Sequence, residues 1–176
     1  MADHRQHPTP MSARRLGLIA TLISVTLVAG ALAAGAALGA NSGSPLTLEG
    51  KNALTGKPVS LAADAGKPVV VNLWSSSCGA CFADARSLAA FERSHPTARV
   101  LGVDVTDTTA GAHSLYRRAG WRHPSIADPS GRIAAQLRLQ TVPTTLFLDA
   151  KHEVVDRIDG QTTASGFAAG YRKASR

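Results

Sequence analysis

Six residues, Val69-Val70-Val71-Asn72-Leu73-Trp74, constrain the fold more than any other stretch. A nearly unbroken apolar run of this length matches a strand buried on both faces, and such strands lie inside sheets covered by helices. The residues that follow agree. From Ala80 to Ser94, Cys81, Ala85, Leu88 and Phe91 recur at intervals of three and four, the spacing of one helical face, until His95-Pro96 ends the run. Arg99 to Val105 reads as a second apolar strand, and Ala110 to Ala119 as a helix closed by Gly120. Ser125-Ile126-Ala127 reads as a short strand before a turn at residues 128–131, and Ile133 to Leu139 as a short helix. Thr144 to Asp149 and Val154 to Ile158 predict an antiparallel hairpin about Ala150-Lys151-His152, and Gly166 to Lys173 a last helix. Ahead of the buried run, LTLEG and PVSLA flank the turn Leu54-Thr55-Gly56-Lys57 and read as an extra N-terminal hairpin. Strands alternating with helices predict an α/β domain over residues 46–176, a central mixed sheet with helices on both faces.

A different signal precedes the domain. Residues 16–40 carry no charge over 25 positions, and about 20 apolar residues span a bilayer as a helix. Arg14 and Arg15 stand before this segment, and no charge follows until Glu49. The positive flank stays in the cytoplasm and sends the domain outside. Residues 1–15 are thus expected to be cytoplasmic, 16–40 a single transmembrane anchor and 41–45, NSGSP, a linker. A cleaved secretory signal is the alternative, since small-residue sites such as Ala34-Gly35-Ala36 permit cleavage. Both readings put the domain outside the cytoplasm, where disulfides persist. Apolar residues make up 44% of the chain and charged residues 18%, which suits a packed core. The net charge of +7 is spread without a lysine/arginine tract, so no nucleic-acid partner is expected. A tethered monomer is the simplest assembly.

Both cysteines of the chain lie in Trp74–Cys81, WSSSCGAC. A haem attachment motif needs His directly after the second Cys, and Phe82 stands there. A structural zinc site usually needs four ligands. The six histidines show no paired ligand spacing, and His95, His113, His123 and His152, at predicted element ends, read as solvated loop residues, so no metal and no cofactor is expected. A disulfide across two residues closes a very small loop and constrains little of the unfolded chain. It is a poor staple and a good redox switch. The pair also follows a buried strand and opens a helix. Cys78 at the helix N-terminus meets unpaired N–H groups and the positive dipole end, which favour a thiolate and make it the nucleophile. Cys81, three residues on, faces the same side and should be the more buried, resolving thiol.

The run VVVNLWSSSCGAC with Thr141-Val142-Pro143-Thr144-Thr145-Leu146-Phe147-Leu148-Asp149 resembles the thioredoxin fold, and within it the membrane-anchored TlpA/ResA/DsbE-like thiol–disulfide oxidoreductases. The similarity covers residues 45–173. It implies Cys78 as attacking and Cys81 as resolving thiol, joined as a redox disulfide, with Pro143 as a cis-proline facing them. Val142 and Thr141 would meet an extended substrate segment, with Trp74 nearby. Trp74 by itself reads more readily as a core anchor. Asp84 stands where the family carries Glu and could act on the thiol pKa or relay a proton. On its own it also reads as an exposed acid near a helix start. Asn72 occupies the place of thioredoxin's buried strand Asp and cannot accept a proton at neutral pH. Ser77 replaces the usual Trp, and the dipeptide Gly79-Ala80 lacks the common Pro. The resemblance implies reduction of disulfides in exported proteins, with a membrane thiol reductant as partner and the thiols of an apocytochrome c as one candidate substrate. A secreted thiol oxidase and a redox-inactive binding module are the alternatives. A peroxidase is disfavoured because no separate peroxidatic cysteine loop exists.

Overall fold

The computed structural model describes residues 44–176. The expected cytoplasmic segment, the anchor and the start of the linker lie outside the described residues. Among the described residues, no helix is long and apolar enough to cross a membrane.

The order of elements is β1 (Glu49–Lys51), β2 (Pro58–Ser60), a 3-10 turn (Leu61–Asp64), β3 (Val69–Trp74), α1 (Gly79–Ser94), β4 (Arg99–Val105), α2 (Thr109–Ala119), β5 (Ser125–Asp128), α3 (Arg132–Gln136), β6 (Thr144–Leu148), β7 (Val154–Asp159) and α4 (Ala164–Ala174). Five strands form one sheet in the order β5-β4-β3-β6-β7. β3 lies at its centre, parallel to β4 and antiparallel to β6, so Val71 is flanked by Leu101 and Leu146. All six residues of β3 are buried, which is why its sequence lacks polar alternation.

Side chains leave the sheet alternately, and the two faces are covered unequally. Val70 and Trp74 point into a core closed by α1, α2 and α4, through Leu88, Phe91, Leu115 and Phe167. Val69, Val71 and Leu73 point the other way, where Ile133 and Ala134 of α3, Leu61 of the 3-10 turn and Leu48 form the cover. Helices thus cover both faces, three on one and a short one on the other.

The extra hairpin is shorter than its sequence suggests. Only Glu49–Lys51 pairs with Pro58–Ser60. Leu48 and Leu61 turn inward to the core, and the Leu61 N–H donates to the Leu48 carbonyl over 2.8 Å. The hairpin covers the β5 edge: Asn52 bridges Ile126, and the Ala53 N–H donates to the Ser125 carbonyl. α3 stops at Gln136, before the expected Leu139, because Arg138 takes a left-handed φ of 50°. Gly120 closes α2 at φ 71°, a conformation that costs glycine little.

Two histidines read as solvated are buried. His123 contacts Glu92 over 2.8 Å through Nδ1, and His152 lies against the Asp64 carbonyl. Both sit at element ends, but their rings pack inward, where a backbone or carboxylate oxygen meets them.

One polar chain crosses the larger core. The Trp74 indole N–H donates to Ser125 Oγ over 3.1 Å, Ser125 Oγ meets the Tyr116 hydroxyl at 2.6 Å, and that hydroxyl donates to the His123 carbonyl. Every hydroxyl in the chain has both a donor and an acceptor role. Gly102 on β4 makes the space, because a Cβ there would overlap Ser125 Oγ and crowd the indole nitrogen. Gly102→Ala is therefore expected to destabilise the domain by ~1–3 kcal/mol through overpacking. A lowered urea midpoint with an unchanged m-value checks this, and a neutral result would mean that the Trp74–Ser125 contact is not tight.

Candidate redox site

The site grows from the end of β3. Ser75–Ser77 leave the buried strand, and α1 begins at Gly79 with Cys78 as its N-cap at φ −90°, ψ 114°. The Cys81 N–H, in the first turn of α1, points at Cys78 Sγ over 3.1 Å and also reaches the Cys78 carbonyl over 3.2 Å. Cys78 and Cys81 are joined as a disulfide, with Cα atoms 5.3 Å apart. Cys81 is 1% exposed, whereas Cys78 is half-buried beside exposed Gly79 and Ala80. Only the Cys78 sulfur is open to attack or to be attacked.

The loop before β6 faces this sulfur. The Val142–Pro143 peptide is cis, and the Val142 carbonyl lies 3.3 Å from Cys78 Sγ. Thr141 is exposed, Val142 half-buried and Pro143 buried. The Thr144 hydroxyl donates to the Thr141 carbonyl over 2.8 Å and ties the loop to its strand. Among the described residues, the Val142 N–H has no protein partner. Cys78, Thr141, Val142 and Pro143 therefore meet at one surface.

Trp74 does not join them. It has no exposed area and lies among Tyr116 and Trp121, with ring centroids 5.8 and 5.6 Å away. The expected substrate contact at Trp74 is corrected: burial of the whole indole leaves it a core anchor only.

Asp84 is buried, at 1% exposure, one turn beyond Cys81. It is not the exposed acid that its place near a helix start allowed. Its carboxylate accepts the Thr162 N–H at 2.8 Å and the Asn72 amide at 3.0 Å, and the same amide reaches Thr145 Oγ1 at 3.1 Å. Burial raises the Asp84 pKa, and the hydrogen bonds from Thr162 and Asn72 offset this only in part. The strand carries no acid at Asn72, yet the interior has one, supplied from α1.

A second acidic pair escaped the sequence reading. Asp107, between β4 and α2, accepts both the Ser76 N–H and the Ser76 hydroxyl, the latter over 2.7 Å, and also the Thr108 N–H. Burial works to raise the Asp107 pKa, but these hydrogen bonds outweigh it and hold the carboxyl below its usual value. Ser76 is two residues before Cys78, so Asp107 fixes the approach to the nucleophile. Gly111 in the first turn of α2 leaves room, since a Cβ there would strike Ser76 Oγ and Asp107. Beneath them Asp104 is 4% exposed, and its Oδ1 has no partner among the described residues. The signal was present in RVLGVDV, where an acid interrupts an apolar strand on the face that points into the larger core.

Burial, then the charge of Asp107, pushes the Asp104 pKa up to about 8. Folding thus favours the protonated acid. That contribution is fully present below about pH 4 and is lost as pH rises towards 8, because the unfolded chain gives up the proton first. Asp104→Asn is expected to remove this part of the decline. Urea midpoints between about pH 4 and 8 should fall more for the parent chain than for the variant, and parallel curves would refute a raised pKa.

Comparison with known proteins agrees with this geometry. A family model, AhpC/TSA, matches residues 45–157. The soluble secreted antigen MPT53 of Mycobacterium tuberculosis is 25% identical over 142 residues, 81% of this chain and 80% of that protein. A DsbF homologue from Corynebacterium diphtheriae is 30% identical at a TM-score of 0.67, covering 73% of this chain and 85% of that one. A thiol:disulfide interchange protein of the thioredoxin family from Chlorobium tepidum superposes at a TM-score of 0.69 with 20% identity, a likeness of fold, over 77% of this chain and 98% of that one. With both of its cysteines in one CGAC pair at a helix start, the chain belongs to the AhpC/TSA family, among its thioredoxin-fold thiol–disulfide oxidoreductases.

Proposed function

We propose that this chain works outside the cytoplasm and reduces disulfides of exported proteins. The observation that carries the proposal is the pairing of one accessible sulfur, Cys78, with one buried sulfur, Cys81, above the buried carboxyl of Asp84. The Cys78 thiolate attacks a substrate disulfide. One substrate sulfur bonds to Cys78, and the other leaves as a thiolate and takes a proton. Cys81 then gives up its proton, with Asp84 as the nearest buried acceptor along the helix, and attacks Cys78 Sγ. The second substrate thiol is released and the Cys78–Cys81 disulfide remains. A membrane thiol donor returns two electrons and two protons to it. Thr141 and Val142 hold the substrate backbone in extended form, where the free Val142 N–H can pair with it.

Electrostatics support the reducing direction. An ionised Asp84, one helical turn from Cys81, would disfavour a thiolate, and a less stabilised reduced form means a lower reduction potential. Within that reading, apocytochrome c thiols awaiting haem are one candidate substrate. The extracytoplasmic placement rests on the uncharged segment 16–40 and on similarity to a secreted antigen. One observation favours the oxidase reading instead. The Cys81 N–H aimed at Cys78 Sγ stabilises a thiolate, and with it the reduced form.

Cys81→Ser is expected to accumulate a mixed disulfide with a substrate protein through Cys78, and Cys78→Ser none. With dithiothreitol as donor, the parent chain should speed reduction of a protein disulfide. Net disulfide formation by the oxidised chain in a refolding assay would support the oxidase reading, and full function of Cys78→Ser would support a redox-inactive module.

A further inference from the structure

The flank of the site beyond Cys81 carries charge that the redox chemistry does not use. Phe82 follows Cys81 directly and is half-buried. The guanidinium of Arg118, on α2, lies 4.1 Å from the centroid of its ring. Together with Arg86, one helical turn further along α1, they line a cleft of about 70 Å³. A wider depression of about 500 Å³ continues along the same seam, lined by Arg93 and Arg122 with Glu92. Ala119 lines the first and Gly120 the second, so the two follow one another along the seam between α1 and the end of α2. The four arginines are exposed, and none makes an ion pair among the described residues. The single acid, Glu92, is already engaged by His123 over 2.8 Å.

We infer that this α1–α2 seam is a substrate subsite that binds an acidic stretch flanking the substrate's cysteine. The inference rests on the proposed reaction at Cys78 and names the class of polypeptide it prefers. Three physical points carry it. The seam starts at the residue after Cys81, so a chain whose disulfide sits over Cys78 has neighbouring residues within reach of Arg118 and Arg86. Guanidinium groups donate to carboxylates in a two-point geometry that a lysine ammonium cannot match. Arg118 is held on the Phe82 ring before any partner arrives, which lowers the ordering cost of binding. An extended polypeptide suits the occupant better than a lipid surface, because the charges line a seam between two helices that begins at Phe82, next to Cys81.

The test uses the full chain, reduced with dithiothreitol and desalted, and three disulfide-bridged peptides that differ only in flanks of Asp/Glu, Ser/Gly or Lys/Arg. The readout is the second-order rate of oxidation of the Cys78–Cys81 pair. The acidic peptide is expected to react about 10-fold faster than the basic one at low salt, the lower end of electrostatic steering. The ratio should shrink in ~0.5 M salt, where charges are screened within a few Å. Arg86→Glu/Arg118→Glu should bring the ratio to one or invert it. A ratio within one protein does not depend on the fraction folded, and Arg86→Gln/Arg118→Gln should give an intermediate value. Equal rates for the three peptides, or a preference unchanged in the variants, would overturn the inference. So would equal rates combined with Arg86- and Arg118-dependent binding to phosphatidylglycerol vesicles. No reaction with any peptide, while both thiols titrate normally, would overturn the redox reading itself.

Discussion

The carboxylate of Asp84 is the contact on which the site depends. It joins α1, which carries it, to the start of α4 through the Thr162 N–H, and to β3 and β6 through the Asn72 amide and Thr145. Four elements on the larger core are thereby fixed at one point, one turn from Cys81. A buried acid is costly unless its lone pairs are used, and here two donors meet it.

A second set of contacts holds the motif from the α2 side. Asp107 fixes Ser76 before Cys78, and Arg118 lies on Phe82 after Cys81. The CGAC turn is thus held at both ends by α2 and the loop that leads into it, while Val142 faces the sulfur from β6. Of the two sulfurs, only that of Cys78 keeps an open outer surface. Ser77, next to the nucleophile, is exposed, and its hydroxyl meets Ser75 Oγ at 3.0 Å.

Much of this was legible in the chain. The unbroken run at residues 69–74 placed β3 in the centre, because a strand paired and covered on both sides has no polar face to show. Cys78 at a helix start was readable from local spacing, and the Val142–Pro143 loop from the resemblance to the thioredoxin fold. What escaped was non-local. Asp84 at a helix start looks the same in sequence whether it meets water or Thr162, 78 positions away. Ser76 and Asp107 are 31 positions apart, and no period links them. The hairpin ladder is shorter than its sequence pattern for a similar reason: Leu48 and Leu61 alternate like strand residues and keep one backbone hydrogen bond, but their side chains turn into the core beyond the paired residues. Trp74 shows the reverse case, where its place in the motif suggested a surface role and packing gave it none.

In the proposed function, the buried Asp84 keeps the Cys78–Cys81 couple reducing. The direct measurement is the reduction potential of the full chain, set against dithiothreitol and glutathione, for the parent and for Asp84→Asn. A parent value near thioredoxin's ~−270 mV is expected, and a less negative value for the variant, which has no ionisable carboxyl one turn from Cys81. A parent value near the ~−120 mV of a strong oxidant such as DsbA, unchanged by Asp84→Asn, would contradict it.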